Sequence, residues 1–475
     1  MNSESLKHQG LMSKTYFDHF NVPELYSQYP MGAEFLERYT KMSRDELWAF
    51  QDCQFRKILK RGWEVPFYQR LWGAEGLEPG DVAGLEDLNK LPVYDKTDLM
   101  ASIEMHPPFG DFSGCDFGKR DDHRSVIIHT TSGTTGNPQV LTFGPKGREI
   151  ANLLVARMYQ WQGLRDNDVV HSVYGHGTIN GGHYIREAVT HYTNALFISA
   201  GTGLETPSER QVSLIHDFGA TVLVGFVDYL RKLATVSKDQ GWDPGDDMKV
   251  RMICGHLGME DRSQVEKAWG GAKAFDWYGV GDTGSIAGEG PERDGLYVWE
   301  DAHFLELLDV ESKVTMEPGQ SGDMVCTCLY KDDIFPIIRF NTHDVSKEII
   351  GHNDSGMVFK RIAGFLGRSD NMIKLRGINF FPHAVGRILE RFEEFEGEYI
   401  CIAERDSDQR DNLRVLVEIE AESDSEKKSA YEGVLRNELG FSVEVEFLPV
   451  LGTAELTQIE HRQKPLRLLD SRSRE

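Results

Sequence analysis

One glycine-rich and hydroxyl-rich segment, residues 129–142 (HTTSGTTGNPQVLT), has the composition of a loop that binds phosphate. Gly133 and Gly136 let the backbone come close to an anion. Five hydroxyl side chains beside them can donate hydrogen bonds: Thr130, Thr131, Ser132, Thr134 and Thr135. The segment lacks the Lys-Ser/Thr pair that ends a Walker-type loop. Surface turns often have this composition too, so the segment alone allows either a phosphate site or a flexible loop.

The elements around this segment indicate an α/β domain. Short runs rich in β-branched residues predict strands, and amphipathic stretches between them predict helices. The predicted strands are 125–129, 169–173, 195–199, 221–224 and 250–254, and the predicted helices are 146–162, 181–191, 208–218 and 229–240. This alternation is typical of a largely parallel sheet.

The rest of the chain does not show this alternation of strands and helices. Residues 43–60 predict a helix capped by Ser43 or Asp45, and 65–99 contain enough proline and glycine to predict a loop-rich stretch. Closely spaced strands between about 295 and 350 predict a small antiparallel β-subdomain, and a compact α+β module follows a boundary near 367–370. We therefore predict two domains, 1–368 and 369–475.

Composition limits the classes of partner. A chain of 475 residues is too long for one ordinary core, and 76 acidic against 52 basic residues give a net charge of −24. This charge disfavours nucleic acid and anionic membranes and favours small-molecule ligands. The sequence has no apolar run long enough for a membrane span, no apolar signal core in MNSESLKHQG, and only six scattered cysteines. We expect a cytoplasmic protein.

The loop and a series of further segments together resemble the adenylate-forming (acyl-CoA synthetase-like) enzymes, and within them the phenylacetate–CoA ligase family. The resemblance extends from about residue 43 to the C-terminus, and the motifs follow the order of the family. The segments that carry it are PFYQRLW (66–72), LEDLNKLPVYDKTDL (85–99), HPPFG (106–110), VYGHGTINGGHY (173–184), DWYGVGDTG (276–284), FPIIRFNTHD (335–344), GRSDNMIKLRGINFFP (367–382) and KPLRLLD (464–470).

The resemblance implies a site for ATP and Mg²⁺. It assigns the phosphate loop to Ser132, Gly133, Thr134, Thr135 and Gly136, and the adenine pocket to Asp276, Tyr278 and Gly279. Asp344 would accept hydrogen bonds from the ribose hydroxyls, and Arg368 would contact the nucleotide. Two positions depart from the family: Asp282 replaces a magnesium-binding glutamate, and Asn137 replaces a lysine. The first departure shortens a metal-binding side chain by one methylene group, and the second removes a cation near the triphosphate.

The resemblance also implies a mobile C-terminal domain. Lys464, in a K-x-x-R-x-x-D pattern, would neutralise charge on the α-phosphate and the carboxylate during adenylation and leave for the second half-reaction. Asp370 would be the hinge, and Gly377 would line the tunnel for the pantetheine arm of coenzyme A. The implied fold is a large α/β domain with a small β-subdomain, followed by a smaller α+β lid.

The acid pocket implied by the resemblance consists of Tyr174, His176, Ile179, Gly181, Gly225, Phe226 and His256. Ile179 stands where the phenylacetate enzymes carry an aromatic residue, and His176 and His256 add polar groups. These differences favour an aromatic or cyclic acid other than phenylacetate, one that is hydroxylated, amino-bearing or larger. Each histidine taken singly is equally well explained as a satisfied structural residue.

The resulting hypothesis is an AMP-forming ligase that uses ATP, Mg²⁺ and coenzyme A, with a small carboxylic acid as its partner. One alternative passes the acyl group to an amine or a carrier-protein thiol, and another is a non-catalytic nucleotide- or acyl-binding relative. A zinc site at Cys254, His256, Cys326 and Cys328 is also open, against the reading of these cysteines as small apolar residues. Whether the chain forms a homodimer is open as well.

Overall fold

A computed structural model describes residues 15–115, 125–131, 139–258, 260–369, 373–375, 378–380, 382–392, 394–405, 411–419, 425–457 and 466–472. The chain divides into two compact units. The larger comprises Met1–Leu257, Ser263–Thr342 and Lys347–Gly364, and the smaller comprises Gly258–Arg262, His343–Ser346 and Phe365–Glu475. The predicted α/β class with a separate C-terminal domain is confirmed. The boundary at 368/369 stays a prediction.

The helices, in chain order, are α1 Val22–Gln28, α2 Gly32–Lys41, α3 Arg44–Gly62, α4 Pro66–Ala74, α5 Lys96–Met105, α6 Pro145–Gln162, α7 Asn180–Tyr192, α8 Ser208–Asp217, α9 Val227–Asp239, α10 Arg262–Ala268, α11 Ala384–Leu389, α12 Ser425–Leu439 and α13 Ala454–Thr457. Short 3₁₀ helices lie at Tyr16–His19 and Leu85–Lys90.

The strands are β1 Ile127–Thr130, β2 Val140–Phe143, β3 Val169–Ser172, β4 Leu196–Ser199, β5 Val222–Val224, β6 Met252–Gly255, β7 Lys273–Val280, β8 Gly284–Glu289, β9 Leu296–Val298, β10 His303–Leu308, β11 Ser321–Cys328, β12 Phe340–Ile349, β13 Arg361–Ile362, β14 Ile373–Leu375, β15 Ile378–Phe380, β16 Phe395–Arg405, β17 Asp411–Ile419, β18 Glu444–Leu448 and β19 Leu468–Asp470.

The central feature is an 11-stranded sheet with the order β10-β11-β12-β13-β9-β8-β7-β6-β5-β3-β4. The half from β4 to β7 is parallel, as predicted, because helices α7 to α10 return the chain between its strands. At β7 the pairing becomes antiparallel through a short turn into β8. The strands predicted between 295 and 350 therefore continue this sheet and share its hydrogen-bonding network.

Two N-terminal helices show how local sequence sets helix starts. The predicted helix at 43–60 is α3, and Ser43 caps it: its hydroxyl accepts from the Glu46 amide, and Glu46 in turn accepts from the Ser43 amide. The loop-rich prediction for 65–99 is wrong at its start, because Pro66 opens helix α4. Proline suits the first turn of a helix, where its missing N–H would have no partner.

Helix α6 passes through the core, and most of its residues are buried. One of them is Arg157, whose guanidinium donates two hydrogen bonds to the Asp301 carboxylate, at 2.5 and 2.9 Å. Tyr39 donates a third to Asp301, and the guanidinium lies over the Phe35 and Trp299 rings. Burying a charge is costly unless it is paired, and this arrangement satisfies both partners.

The smaller unit has its own four-stranded sheet, in the order β18-β17-β16-β19. The α+β module predicted after the boundary near 367–370 contains strands β16, β17 and β18 and helices α11 and α12. Residues of α11, α12 and these strands pack in one core, which includes Leu389, Val415 and Leu435. The α+β prediction for this region is confirmed.

None of the helices in the described part of the chain is both long and apolar enough to cross a membrane.

Candidate active site

The candidate site lies at one edge of the parallel half of the sheet. Strands β3, β5, β6 and β7 are neighbours and point the same way, so their carboxyl ends share that edge. The order reverses at β3, which has β4 on one side and β5 on the other. Ligands of open α/β sheets bind outside the carboxyl ends at such a reversal. Phe226 and His256 of the predicted acid pocket follow β5 and β6, and the predicted adenine residues lie on β7 from the point where its parallel pairing with β6 ends.

Glycines allow the backbones to meet closely at this edge. A Cβ on Gly225 would lie 2.0 Å from Val173 Cγ2, and one on Gly255 would lie 2.4 Å from the Gly225 carbonyl oxygen. A Cβ on Gly279 would lie 2.2 Å from the Gly284 carbonyl oxygen. No side chain larger than hydrogen fits at these positions without movement, so the sequence requires glycine here for packing.

The predicted adenine residues sit on β7 and its bulge. Asp276 is buried, and its Oδ1 accepts hydrogen bonds from the amides of Leu257 and Trp277, at 2.8 and 2.9 Å. The Tyr278 hydroxyl donates to Thr342 Oγ1 at 3.1 Å. Asp276 thus anchors the turn that follows β6, which is one of the walls of the predicted acid pocket.

The predicted phosphate loop joins two antiparallel strands, β1 and β2. Thr131 and Gln139 close its neck: the Thr131 amide donates to the Gln139 carbonyl at 3.0 Å, and the Gln139 amide donates to Thr131 Oγ1 at 3.1 Å. Ser132, Gly133, Thr134, Thr135, Gly136 and Asn137 themselves lie outside the described residues, as do Asp370, Gly377 and Lys464.

Asp282 lies in the turn between β7 and β8 and is buried. Its Oδ1 accepts a hydrogen bond from Gln139 Nε2 at 2.6 Å, which connects this turn to the neck of the loop. Burial raises the pKa of the Asp282 carboxyl, and Lys331 and Gln139 oppose that rise. Lys331 is also buried and donates to the Asp282 carbonyl oxygen at 2.8 Å. A metal cation bound by Asp282, in addition to the Lys331 ammonium, would favour the ionised form of this carboxylate.

Aromatic rings form the walls of the predicted acid pocket. The Tyr174 ring meets Phe226 edge-on, with centroids 5.0 Å apart. His256 stacks on Trp277 at 4.0 Å, and its Nδ1 lies 2.9 Å from the Trp277 carbonyl oxygen. Ile179 caps the N-terminus of α7 and is 40% exposed. Phe226, which is 49% exposed, offers a flat apolar face of the kind that binds a ring, whereas Tyr174 and Trp277 are themselves buried.

Three histidines gather beside this pocket, and two of them were not predicted. His183 lies between the others, with ring centroids 5.0 Å from His129 and 5.5 Å from His176. Burial, reinforced by the charges of Arg148 and His183, lowers the pKa of His129 to about 4, and burial also lowers the pKa of His176. Both are therefore neutral at pH 7 and can donate or accept hydrogen bonds without carrying charge.

In the smaller unit, the predicted ribose and nucleotide residues are paired with each other. Arg368 Nη1 donates to Asp344 Oδ1 at 3.0 Å, and the two residues also form an isolated antiparallel bridge. The Asp344 side chain is buried and that of Arg368 is about one-third exposed. The pairing holds the carboxylate in one orientation.

The four residues considered as zinc ligands, Cys254, His256, Cys326 and Cys328, do not come together as one group of donors. Cys254 donates to Gln162 Oε1, and His256 lies on Trp277 as described. Within the described ranges, the group of three His, Cys, Asp or Glu donors that lies within 4.8 Å is His303, Cys326 and Cys328.

Comparison with known proteins supports the interpretation of the sequence. A family model described as the C-terminal domain of AMP-binding enzymes matches residues 377–472. The phenylacetate–coenzyme A ligase of Pseudomonas putida is 31% identical over 395 residues, which are 80% of this chain and 83% of that protein. The enzyme of the same name from Aromatoleum evansii is 29% identical over 415 residues, covering 85% and 89%.

Solved structures agree on the fold. A 2-hydroxyisobutyryl-CoA ligase in the postadenylation state matches with a TM-score of 0.79 and 24% identity, over 96% of this chain and 97% of that one. Taken with the sequence identity to the Pseudomonas putida enzyme, this shows that the chain belongs to the phenylacetate–coenzyme A ligase family of adenylate-forming enzymes.

Proposed function

We propose that the protein is an AMP-forming acid–coenzyme A ligase. The observation that carries the proposal is the convergence of an aromatic pocket and the Asp276–Gly279 segment on the carboxyl ends of four adjacent parallel strands. Family membership supplies the reaction class, since the curated relatives are phenylacetate–coenzyme A ligases. ATP, the acid and coenzyme A are the substrates.

The reaction has two steps. In the first, an oxygen of the substrate carboxylate attacks the α-phosphorus of ATP, pyrophosphate leaves, and an acyl-adenylate forms. In the second, the sulfur of coenzyme A attacks the acyl carbonyl carbon, AMP leaves, and the thiol proton is released to solvent. Because both reactants are anionic in the first step, catalysis requires positioning and neutralisation of charge.

The residues divide these tasks. Tyr278 would stack on the purine, with Gly279 letting the nucleotide approach the backbone, and the threonines and glycines of 132–136 would donate to the phosphates. Asp344, held by Arg368, would accept from the ribose hydroxyls. Lys464 would approach the α-phosphate in the first step, with Asp370 as the hinge and Gly377 on the path of coenzyme A.

Asp282 fits a hard cation in donor type. It is an oxygen ligand, and a carboxylate has about four acceptor positions, so the hydrogen bond from Gln139 leaves capacity for an ion. A Mg²⁺ ion bound there would neutralise phosphate charge. The link from Asp282 through Gln139 to the neck of the loop would hold the carboxylate beside the phosphates.

We further propose that the acid is aromatic or cyclic and carries a neutral polar group on its ring. The Tyr174 and Phe226 rings would bind its apolar faces, and His176 would hydrogen-bond the polar group. Since burial lowers the pKa of His176 and that of His129, these two side chains offer hydrogen bonds rather than positive charge. A ring hydroxyl or amino group suits it better than a second carboxylate. A cytoplasmic location stays part of the prediction.

The test is acid-dependent release of pyrophosphate from Mg-ATP across a panel of acids, with and without coenzyme A. The panel pairs phenylacetate with its ring-hydroxylated and ring-amino derivatives and with cyclic aliphatic acids. We expect release and thioester formation, with a derivative preferred over phenylacetate. Phenylacetate as the best substrate would refute the polar pocket. Release without thioester would favour an amine or carrier-protein acceptor, and no release with any acid would favour a binding protein.

A further inference from the structure

Two thiols and one imidazole converge in the core of the larger unit, close to the turn that carries Asp282. His303 opens β10 and lies directly opposite Cys328 of β11 in the antiparallel register. Cys326 precedes Cys328 by two residues, so its side chain lies on the same face of the strand. The three donor atoms lie within 4.8 Å of one another, and all three side chains are fully buried.

The hydrogen bonds of His303 leave one ring nitrogen for a ligand. Nε2 lies 3.3 Å from the carbonyl oxygen of Thr283, so Nε2 carries the proton and donates it. Nδ1 is buried and has no nitrogen or oxygen partner among the described residues. The His303 side chain interacts with that of Cys328, so the imidazole and this sulfur already face each other as two ligands of one ion would. A histidine that donates its second nitrogen to a carbonyl is the usual arrangement of a metal ligand.

The spacing suits a small tetrahedral ion. With metal–sulfur bonds of about 2.3 Å and metal–nitrogen bonds of about 2.0–2.1 Å, tetrahedral donors lie about 3.6–3.8 Å apart. The donors need to close by about 1 Å or less from the 4.8 Å limit, which side-chain rotation of two cysteines can supply. The donor set of two sulfurs and one imidazole excludes Mg²⁺ and Ca²⁺, which require oxygen, and favours Zn²⁺.

The charges around the donors allow a neutral complex. Two thiolates and one divalent ion sum to zero, and a neutral complex avoids the cost of an uncompensated charge in the interior. Lys331 and Glu306 act electrostatically on Cys326 and are opposite in sign. Glu306 is itself paired with Arg339, and Lys331 donates to the Asp282 carbonyl.

We propose that His303, Cys326 and Cys328 form a Zn²⁺ site that pins β10 to β11. The site would also steady the turn that carries Asp282, because His303 and the Tyr330 hydroxyl both donate to the carbonyl oxygen of the next residue, Thr283. Its role is structural, and water or an open position would complete the coordination.

The first test uses the full chain, produced without a polyhistidine tag in medium supplied with Zn²⁺ and, separately, with Co²⁺. We expect about one metal ion per chain by elemental mass spectrometry, and the cobalt form to show a thiolate-to-cobalt charge-transfer band. Chelation should lower the midpoint of thermal unfolding, since an ion that binds only the folded state stabilises it. Fewer than about 0.1 ions per chain in both preparations, with no such band, would overturn the proposal.

Variants locate the ion. Cys326→Ser and Cys328→Ser should each weaken binding by more than about 100-fold, whereas Cys254→Ser, which changes an equally buried cysteine outside the group, should retain the ion. Retention in the first two variants, or loss in the control, would contradict the assignment. If either variant fails to fold, the cobalt spectrum of the unmodified chain still decides, because a band from thiolate ligands is absent when the cysteines do not bind.

Discussion

Replacing Gly255 with alanine tests whether the acid binds at the carboxyl ends of β5 and β6. Gly255 ends β6, and an added Cβ would lie 2.4 Å from the carbonyl oxygen of Gly225, which follows β5. The obstacle is backbone, so no side chain can rotate away. The methyl group must push apart the two turns that carry Phe226 and His256.

The displacement sets the size of the effect. Carbon–oxygen contacts between strands are about 3.3–3.6 Å, so relief requires a shift of about 0.9 Å or more. Overpacking of this kind lowers the free energy of unfolding by about 1–3 kcal/mol. A misplacement of about 1 Å at a reacting centre can cost about 100-fold in rate. We therefore expect kcat/KM for the acid to fall by about 10- to 100-fold in Gly255→Ala.

The assay is the initial rate of acid-dependent pyrophosphate release, measured with the acid varied and then with ATP varied, alongside urea unfolding. Gly433→Ala is the matched control: in the described part of the chain, no atom beyond its chain neighbours and the helix's own backbone lies within 4 Å of the added methyl, and the position is inside α12, where alanine is favoured by up to about 1 kcal/mol. Wild-type kcat/KM for the acid in Gly255→Ala, despite reduced stability, would refute the placement of the acid at these strand ends.

Three further predictions concern other parts of the chain. Lys464→Ala should reduce the rate of acyl-adenylate formation by about 100-fold or more and leave the rate of thioester formation from supplied acyl-adenylate unchanged. As a control, Lys428→Ala, which changes an exposed lysine of α12, should alter neither rate. Burial lowers the pKa of His171 to about 4, so between pH 6.5 and 4 the unfolded state binds a proton at this residue and the folded state does not. The free energy of unfolding should therefore fall by up to about 3 kcal/mol over that range. In urea titrations, His171→Gln should show a smaller dependence of the free energy of unfolding on pH. Asp301→Asn leaves the buried guanidinium of Arg157 without a counter-charge and should cost about 3–5 kcal/mol in the same titrations; a loss below about 1 kcal/mol would contradict the reading of this pair.

Local patterns predicted much of the fold. The strands from β3 to β6 and the helices between them follow from apolar runs and helical spacing, and the Ser43 cap follows from one capping box. Helix α4 was missed because Pro66 was interpreted as a break, whereas at the first turn it favours a helix. The continuity of the 11-stranded sheet depends on β13, two residues long, which joins β12 to β9. Pairing between segments so distant in sequence leaves no local pattern.

The same limit applies to the site. Motifs make Asp276, Tyr278 and Asp282 candidate site residues, but the hydrogen bond from Gln139 to Asp282 joins residues 143 positions apart and leaves no motif. His303 was absent from the zinc hypothesis because only the register of β10 against β11 brings it opposite Cys328. Cys326 and Cys328 are two residues apart on β11 and therefore share a face, which their spacing alone indicates. Spacing in the sequence thus predicts which donors share a face of one strand. Which donors of different strands come together depends on strand pairing, which has no local pattern.

Two kinds of residue lie at these strand ends: glycines that the packing of the scaffold requires, and exposed apolar residues that we propose determine specificity for the acid. A Cβ on Gly255 would meet the Gly225 carbonyl oxygen and one on Gly225 would meet the Val173 side chain, so a larger residue at either position disturbs the scaffold. Phe226 and Ile179 each begin a helix as its capping residue and remain 49% and 40% exposed, so their side chains are large apolar surfaces without a full complement of protein contacts. Exposed apolar side chains beside the strand ends proposed to bind the acid are suited to contact with a ligand. Changes at Phe226 and Ile179 should therefore alter which acid is preferred with little effect on stability, because what they lose in the folded protein is contact with substrate rather than with the core.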